Sequence, residues 1–415
     1  MKTWIIYLVA TLMGLATTLL LGQFPAYATF IQSASTHLIQ FGGFVLFPIV
    51  FFTFASGIAS LRKDKMGGRV ASSTIIWTIL PTLILTIIGS LLFIILPTKF
   101  PASSSAGAGT SAVLEFIRTT GEYTIASLNP INPFYSLASN QGMIFPICIV
   151  SFILGYFLKP DSDIIRPAYV TMNSFSEVMY RISSAFAIYG FAFVYIIVAS
   201  FFMQLQTDAT IFVAPRFMFT LLLLSTIALL GILPLFYGFL THFKSNPYRI
   251  LYRTLGAQLA ALFSGSVLFS SPMLYSLTRN NLGIQKRISS TTIPITSMFA
   301  KGGSAMIAVF TIFSLIYSAT GSLPEVKIIV FIVLCSFFVS LISSAFLGFG
   351  VFFITYLTMK IVGIDLANAE MSLVGILPLL CGLGTLLDSY ISTLCTASTS
   401  FWLETEIEVP YEDIL

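Results

Sequence analysis

The apolar residues of this chain come in long blocks with few charges inside them, and that pattern restricts the fold more than any motif does. The blocks cover roughly 4–22, 40–61, 70–97, 142–158, 165–203 and 211–241, then 249–279, 288–318, 325–361 and 371–402. A helix crosses the bilayer core with about 20 apolar residues, so most blocks are long enough to span. Of the 415 residues, 57% are hydrophobic and only 9% charged, against about 25% charged in soluble domains. A water-facing surface cannot be assembled from so few charges. The sequence predicts an all-α polytopic membrane protein.

Loop charges set the orientation. No lysine or arginine occurs from Leu20 to Ser60, whereas Arg62-Lys63-Asp64-Lys65 leads directly towards Arg69. Basic residues return at Lys159 and Arg166, at Lys244, Arg249 and Arg253, and at Arg279, Lys286 and Arg287. The positive-inside rule places these loops in the cytoplasm, with both termini, and puts Asp365 and Glu370 outside. The expected location is the cytoplasmic membrane. Lys2, the apolar run Trp4 to Leu21 and Ala26-Tyr27-Ala28 resemble a cleavable signal peptide. That run has the length of a full span, however, and the next segment needs it to keep its orientation. It is read as the first transmembrane helix. The connection from Lys99 to Asn140 ends in Asn129-Pro130-Ile131-Asn132-Pro133-Phe134, whose prolines stop a helix. A folded extracellular elaboration is expected there.

Two blocks break the pattern. Block 249–279 carries cytoplasmic-type charge at both ends, and its centre reads Phe263-Ser264-Gly265-Ser266, then Ser270-Ser271-Pro272. Such a centre suggests a re-entrant hairpin, whose exposed backbone is tolerable only where it lines a protein cavity. Block 325–361 repeats the plan from the other side, turning at Ser343-Ser344-Ala345-Phe346-Leu347-Gly348-Phe349-Gly350. A long helix with an anomaly near its middle follows each hairpin. The expected architecture is therefore eight transmembrane helices plus two re-entrant helical hairpins, arranged as inverted repeats.

Soluble chemistry finds little support. Cys148, Cys335, Cys381 and Cys395 sit in apolar stretches with no metal-ligand spacing, and His37 and His242 lie far apart. The cysteines are expected to be small buried residues, without disulfides. No phosphate-binding glycine loop, HExxH or GxSxG occurs, so an enzyme is not expected, nor a cofactor or bound metal. The net charge of +4 is too small to imply a nucleic-acid partner.

Two charges lie inside the blocks. Ala300-Lys301-Gly302-Gly303-Ser304 interrupts the helix after the first hairpin; adjacent glycines weaken a helix by about 1 kcal/mol each relative to alanine. In the last block Asp388 stands in Leu386-Leu387-Asp388-Ser389-Tyr390, and Ser392, Cys395 and Thr399 continue a small, polar face at helical spacing. A charge at bilayer depth costs about 2.5–3.5 kcal/mol on insertion scales. Either Lys301 and Asp388 form an ion pair that locks two helices, or one or both contact a substrate or replace a coupling ion.

The order of these features resembles the glutamate, neutral-amino-acid and dicarboxylate:cation symporters. Asn129-Pro130 to Phe134 with Ser136 to Asn140 is similar to that family's Pro-x-Asn-Pro-Phe stretch, and Asn281-Leu282-Gly283 through Pro294 to its link into the seventh helix. The resemblance implies a trimer. Residues 1–241 would be mostly scaffold, with the third helix joining the transport domain. Residues 242–415 would form the transport core: hairpin 1 (about 249–279), helix 7, hairpin 2 (about 325–361) and helix 8. It further implies substrate contacts at Ser264, Gly265, Ser266, Ser304, Leu347, Gly348, Asp388, Ile391, Ser392 and Cys395. Where the family has Asn-Met-Asp-Gly-Thr this chain has Ala300 to Ser304, so the sodium-binding Asn and Asp are absent. Ile391 replaces an arginine found in members that bind acidic side chains. Cys395 and Thr399 replace two more sodium ligands.

A lysine thus stands where the family would hold a cation. The leading expectation is a secondary transporter of a small amino acid or carboxylate, working by an elevator mechanism. It would be sodium-independent, with Lys301 as a tethered cation and proton coupling through Lys301 and Asp388. A sodium-coupled symporter with altered ligands and a non-transporting sensor or scaffold relative stay open at this point. The partners expected are a small-molecule substrate, the lipid bilayer and two further copies of the chain.

Overall fold

The computed structural model describes residues 2–101, 144–207, 214–343, 349–363, 373, 375–405 and 407–415. The order is α1 (Thr3–Leu21), α2 (Pro25–Lys63), α3 (Gly67–Ile95), α4 (Phe145–Phe157), α5 (Arg166–Thr207) and α6 (Pro215–Leu240). It continues with α7 (Pro247–Arg253), α8 (Leu255–Ser264), α9 (Val267–Asn280), α10 (Lys286–Phe299) and α11 (Gly302–Thr320). The last three are α12 (Val326–Ile342), α13 (Gly350–Val362) and α14 (Leu377–Trp402). Among the described residues the regular structure is all helical. Seven stretches there are long and apolar enough to cross a membrane: α1, α2, α3, α5, α6, α10 with α11, and α14. The remaining span expected, at 142–158, takes the form of the 13-residue α4. The Asn129 to Asn140 stretch, Asp365 and Glu370 lie outside the described residues.

Helix α2 starts at Pro25, well before the apolar block at 40. Its polar residues are accommodated without breaking the helix. Thr29 and Thr36 donate to Pro25 O and Gln32 O, each at 3.0 Å, while Ser35 meets Ser200 of α5 at 2.8 Å. Such local bonds satisfy a hydroxyl inside an apolar environment. Helix α1 docks on α5: the Tyr7 hydroxyl donates to Ala187 O (2.7 Å) and Thr18 to Ala199 O (3.2 Å).

The block at 249–279 folds as a helix–turn–helix. Gly265 makes the turn with φ +57°, a left-handed conformation that costs a glycine nothing. At 1.5 Å per residue α8 and α9 reach about 15 and 21 Å, short of the roughly 30 Å hydrocarbon core. Neither limb crosses alone. Helices α12 and α13 form a second antiparallel pair, linked by Ser336 to Thr358 at 3.3 Å; the turn at 344–348 lies outside the described residues.

Two apolar cores organise the packing. One joins α1, α2, α4 and α5 to the α8–α9 hairpin through Tyr7, Leu46, Ile49, Phe186, Phe269 and Met273. The other joins α3 and α6 to α11–α14 through Trp77, Phe93, Leu221, Phe310, Ile354 and Leu380. Of the four cysteines, all free, Cys335 is only partly covered; the other three are buried.

The basic loops gather at one end of the bundle. Arg287 pairs with Asp64, Arg62 donates to Tyr156 O, and Glu177 takes both Arg279 (3.1 Å) and Lys286 (3.4 Å). Residues 407–415 run across the same end, a strap that sequence patterning does not reveal. Arg253 donates to Asn281 O (2.7 Å) and Val409 O (2.9 Å), Asn281 accepts from Leu415 N–H (3.0 Å), and Thr3 N–H donates to Leu415 O (3.0 Å).

Candidate functional site

The break after α10 is where the chemistry collects. The helical ladder ends at Ala300, and the Lys301 N–H reaches only Phe299 O (3.0 Å) before α11 restarts at Gly302. A restarted helix has unpaired N–H groups in its first turn and a partial positive charge there. Asp388, on α14, supplies the acceptor. Its Oδ1 accepts from Gly303 N–H (2.8 Å) and Ser304 N–H (3.1 Å), and its Oδ2 accepts from the Ser304 hydroxyl (2.6 Å). A carboxylate from one helix therefore caps the N-terminus of another.

Gly303 makes this approach possible. A Cβ at that position would lie 2.3 Å from Leu387 Cβ and 2.6 Å from Gly384 O, so any side chain would push α11 off α14. Sequence reasoning credits the paired glycines with weakening the helix; their geometry adds close contact. A Cβ at Gly302 would meet both Thr82 of α3 and Ile391 of α14. Ile391 is completely buried.

Lys301 has no such partner. Its side chain is 1% exposed, and among the described residues its ammonium makes no hydrogen bond and no ion pair. Asp388 is 3% exposed and bonded to α11 instead. The two charges do not form the helix-locking pair considered from the sequence. The Asp388 carboxylate still lies near enough for its charge to act on the ammonium, but a buried ammonium without a hydrogen bond costs several kcal/mol.

Below Asp388, a narrow crevice opens between α9, α10 and α14. It is lined by Val267, Ser270, Ser271, Leu274, Ser297, Asp388, Ser389 and Ser392. Asp388 and Ser392 of the expected contacts meet here. Ser304 reaches the site through Asp388. Ser264, Gly265 and Ser266 form the hairpin tip that leads into Val267, with Ser264 donating to Ala260 O (2.6 Å) and Ser266 accepting from Leu268 N–H (3.3 Å). Cys395 is buried further along α14, where Thr399 donates to its carbonyl (2.7 Å) and meets Ser73 of α3 at 2.6 Å. Leu347 and Gly348 lie outside the described residues. Sequence reasoning did not select Ser297 or Ser389; a serine directly after the lone aspartate was the available signal.

The sequence profile of the sodium:dicarboxylate symporter family matches residues 4–400, from the first helix almost to the end of α14. The chain belongs to the sodium:dicarboxylate symporter family. It is a member of a transport family and not an enzyme. A C4-dicarboxylate transport protein of Deinococcus deserti is 28% identical over 154 residues, which cover 36% of this chain and 34% of that protein. Another of that description, from Granulibacter bethesdensis, is 23% identical over 180 residues, covering 42% and 40%. The matched stretches thus span well under half the length of these curated relatives.

Proposed function

We propose that this symporter-family member is a sodium-independent secondary transporter of a small amino acid or carboxylate, in which the Lys301 ammonium replaces a bound cation. The observation that carries this reading is the buried ammonium at the break between α10 and α11, which makes no hydrogen bond and no ion pair among the described residues. A transporter that binds a cation beside its substrate must neutralise and release that charge in each cycle. An amine fixed to the chain supplies the charge without a sodium site. It can also take up and lose a proton, which makes proton coupling through Lys301 and Asp388 the natural drive.

The architecture in this proposal is eight membrane helices with α8–α9 and α12–α13 as re-entrant hairpins, assembled as a trimer in the cytoplasmic membrane. Residues 242–415 move as an elevator-like unit against a scaffold of α1, α2, α4 and α5. Packing supports placing α3 in the moving unit, and adds α6, since both share its core. The meeting of Thr3 and Leu415 beside the basic loops supports a cytoplasmic position for both ends.

Proteoliposome uptake under an imposed sodium gradient, proton gradient or neither tests the reading. Uptake is expected to ignore sodium, to accelerate with the proton gradient, and to lose that acceleration in Lys301→Met. Uptake driven by sodium, insensitive to pH and unchanged in Lys301→Met would overturn it.

A further inference from the structure

The strap at 407–415 is held in an unusual way for a segment that crosses the end of a helix bundle. Ile414, 5% exposed, is its one buried residue; the rest is fixed by polar ties. Its first half sits on the helices around the α8–α9 hairpin. Ile407 N–H donates to Gly283 O (3.3 Å), Arg253 of α7 donates to Val409 O (2.9 Å), and Arg249 pairs with Glu408 (3.2 Å). Gly283 has φ +68°, and a Cβ there would lie 1.9 Å from Ile407 O. The seat therefore takes glycine and no other residue.

The second half of the strap reaches α1. Lys2 Nζ donates to Glu412 O (2.6 Å) and Ile414 O (3.0 Å). Thr3 donates to Leu415 O twice, through its N–H (3.0 Å) and its hydroxyl (2.6 Å). That N–H belongs to the first turn of α1, where a helix has no partner of its own to offer. Lys2 Nζ also lies 5.2 Å from the centre of the Tyr411 ring, within cation–π reach. Tyr411 stacks on Tyr252 of α7, which in turn meets Trp4 of α1 at 5.0 Å. The family profile matches residues 4–400, so the strap and its anchors Lys2 and Thr3 all lie outside it.

We propose that this strap is a latch, which holds the moving unit to the scaffold and releases Lys2 and Thr3 before each elevator step. The inference rests on the transport reading above, in which residues 242–415 move against α1, α2, α4 and α5. The strap belongs to the moving unit by chain connection and by its seat on Gly283 and Arg253. Lys2 and Thr3 belong to the scaffold. Hydrogen bonds between the two parts are lost once donor and acceptor separate beyond about 3.5 Å, so displacement of the unit breaks them. Each such bond is worth little net, and release uncovers little apolar surface because Ile414 alone is buried. The latch therefore slows the step without forbidding it. Glu177 of α5 spans the same boundary to Arg279 and Lys286, as partly exposed ion pairs that each add little.

The test compares the full chain with two release variants in liposomes. One ends at Pro410 and loses every tie to α1. The other, Lys2→Met with Thr3→Val, keeps the strap and removes the side-chain ties. Two quantities are read: the initial uptake rate under a proton gradient, and the distance distribution between spin labels at Leu12→Cys of α1 and Val330→Cys of α12. Both labelled positions are exposed, and Cys335→Ser removes the partly covered native thiol. The release variants are expected to show a second distance and uptake about tenfold faster, the net effect of one or two such hydrogen bonds. Glu408→Gln, whose ion pair with Arg249 stays within the moving unit, should match the wild type in both. If the shortened chain does not fold, the double variant decides alone. Wild-type distances and rate in the release variants overturn the inference, as does slower uptake by a variant that melts like the wild type. The two readings fail separately. A second distance without uptake under any gradient keeps the latch and removes transport; proton-driven uptake with wild-type rate and distances in the release variants does the reverse.

Discussion

Charged groups meet in two places in this protein, at the basic rim and at the buried helix break, and they are handled differently. At the rim, Glu177 takes Arg279 and Lys286 at 3.1 and 3.4 Å, with side chains 21–40% exposed. At the break, Asp388 accepts from backbone and hydroxyl donors of α11, while Lys301, 1% exposed, makes no hydrogen bond and no ion pair among the described residues. Pairing is easy where water reaches, and each such pair adds little. Burial makes every polar group costly, so the fold resolves one charge structurally and leaves the other available. The contrast separates a charge that holds helices together from one that the proposed function puts to work.

Substitutions can break this contrast. The largest effect is expected for Asp388→Ala, which strips the acceptor from three buried donors. At about 1–3 kcal/mol for each donor left unsatisfied, it should cost roughly 3–9 kcal/mol and sharply reduce the yield of folded protein, read by detergent-solubilised melting. Next comes Lys301→Met, with the opposite sign. Removing an unpaired buried charge should raise stability by about 2–3 kcal/mol while abolishing proton-driven uptake. A fall in melting temperature would show that the ammonium has a structural partner after all.

Gly303→Ala should cost about 1–3 kcal/mol through overpacking against Leu387 and Gly384. It should also weaken the Asp388 cap without touching Lys301. Glu177→Gln closes the series. At most about 1 kcal/mol is expected from this partly exposed junction, and a larger loss in thermal melting would erase the distinction between rim and core.

Much of the fold is legible in the sequence because the bilayer enforces it. The block at 4–22 becomes Thr3–Leu21, the hairpin turns at Ser264-Gly265-Ser266, and the helix breaks at Lys301. Each of these follows from hydrophobicity, glycine and charge, which are local properties. The site is less legible because its decisive contacts are long-range. That Asp388 caps α11 depends on the register of two helices more than eighty residues apart. That Ser389, among the described hydroxyls of α14, goes unpaired depends on the neighbours α9 presents. The strap at 407–415 escaped for a similar reason: it is held largely through backbone carbonyls and N–H groups, which no side-chain pattern announces. Helix α2 runs back to Pro25 because serine and threonine hydroxyls can be satisfied within a helix, which a hydropathy block does not register.

The central claim is that Lys301 stands in for a cation, and sodium itself tests it most directly. A protein that binds an ion only when folded gains RT ln(1 + [L]/Kd) in stability. Melting of the wild type should be the same in sodium chloride and choline chloride at equal ionic strength, across a hundredfold range of sodium. A rise in melting temperature specific to sodium would show that an ion site persists beside the lysine, and would contradict the account.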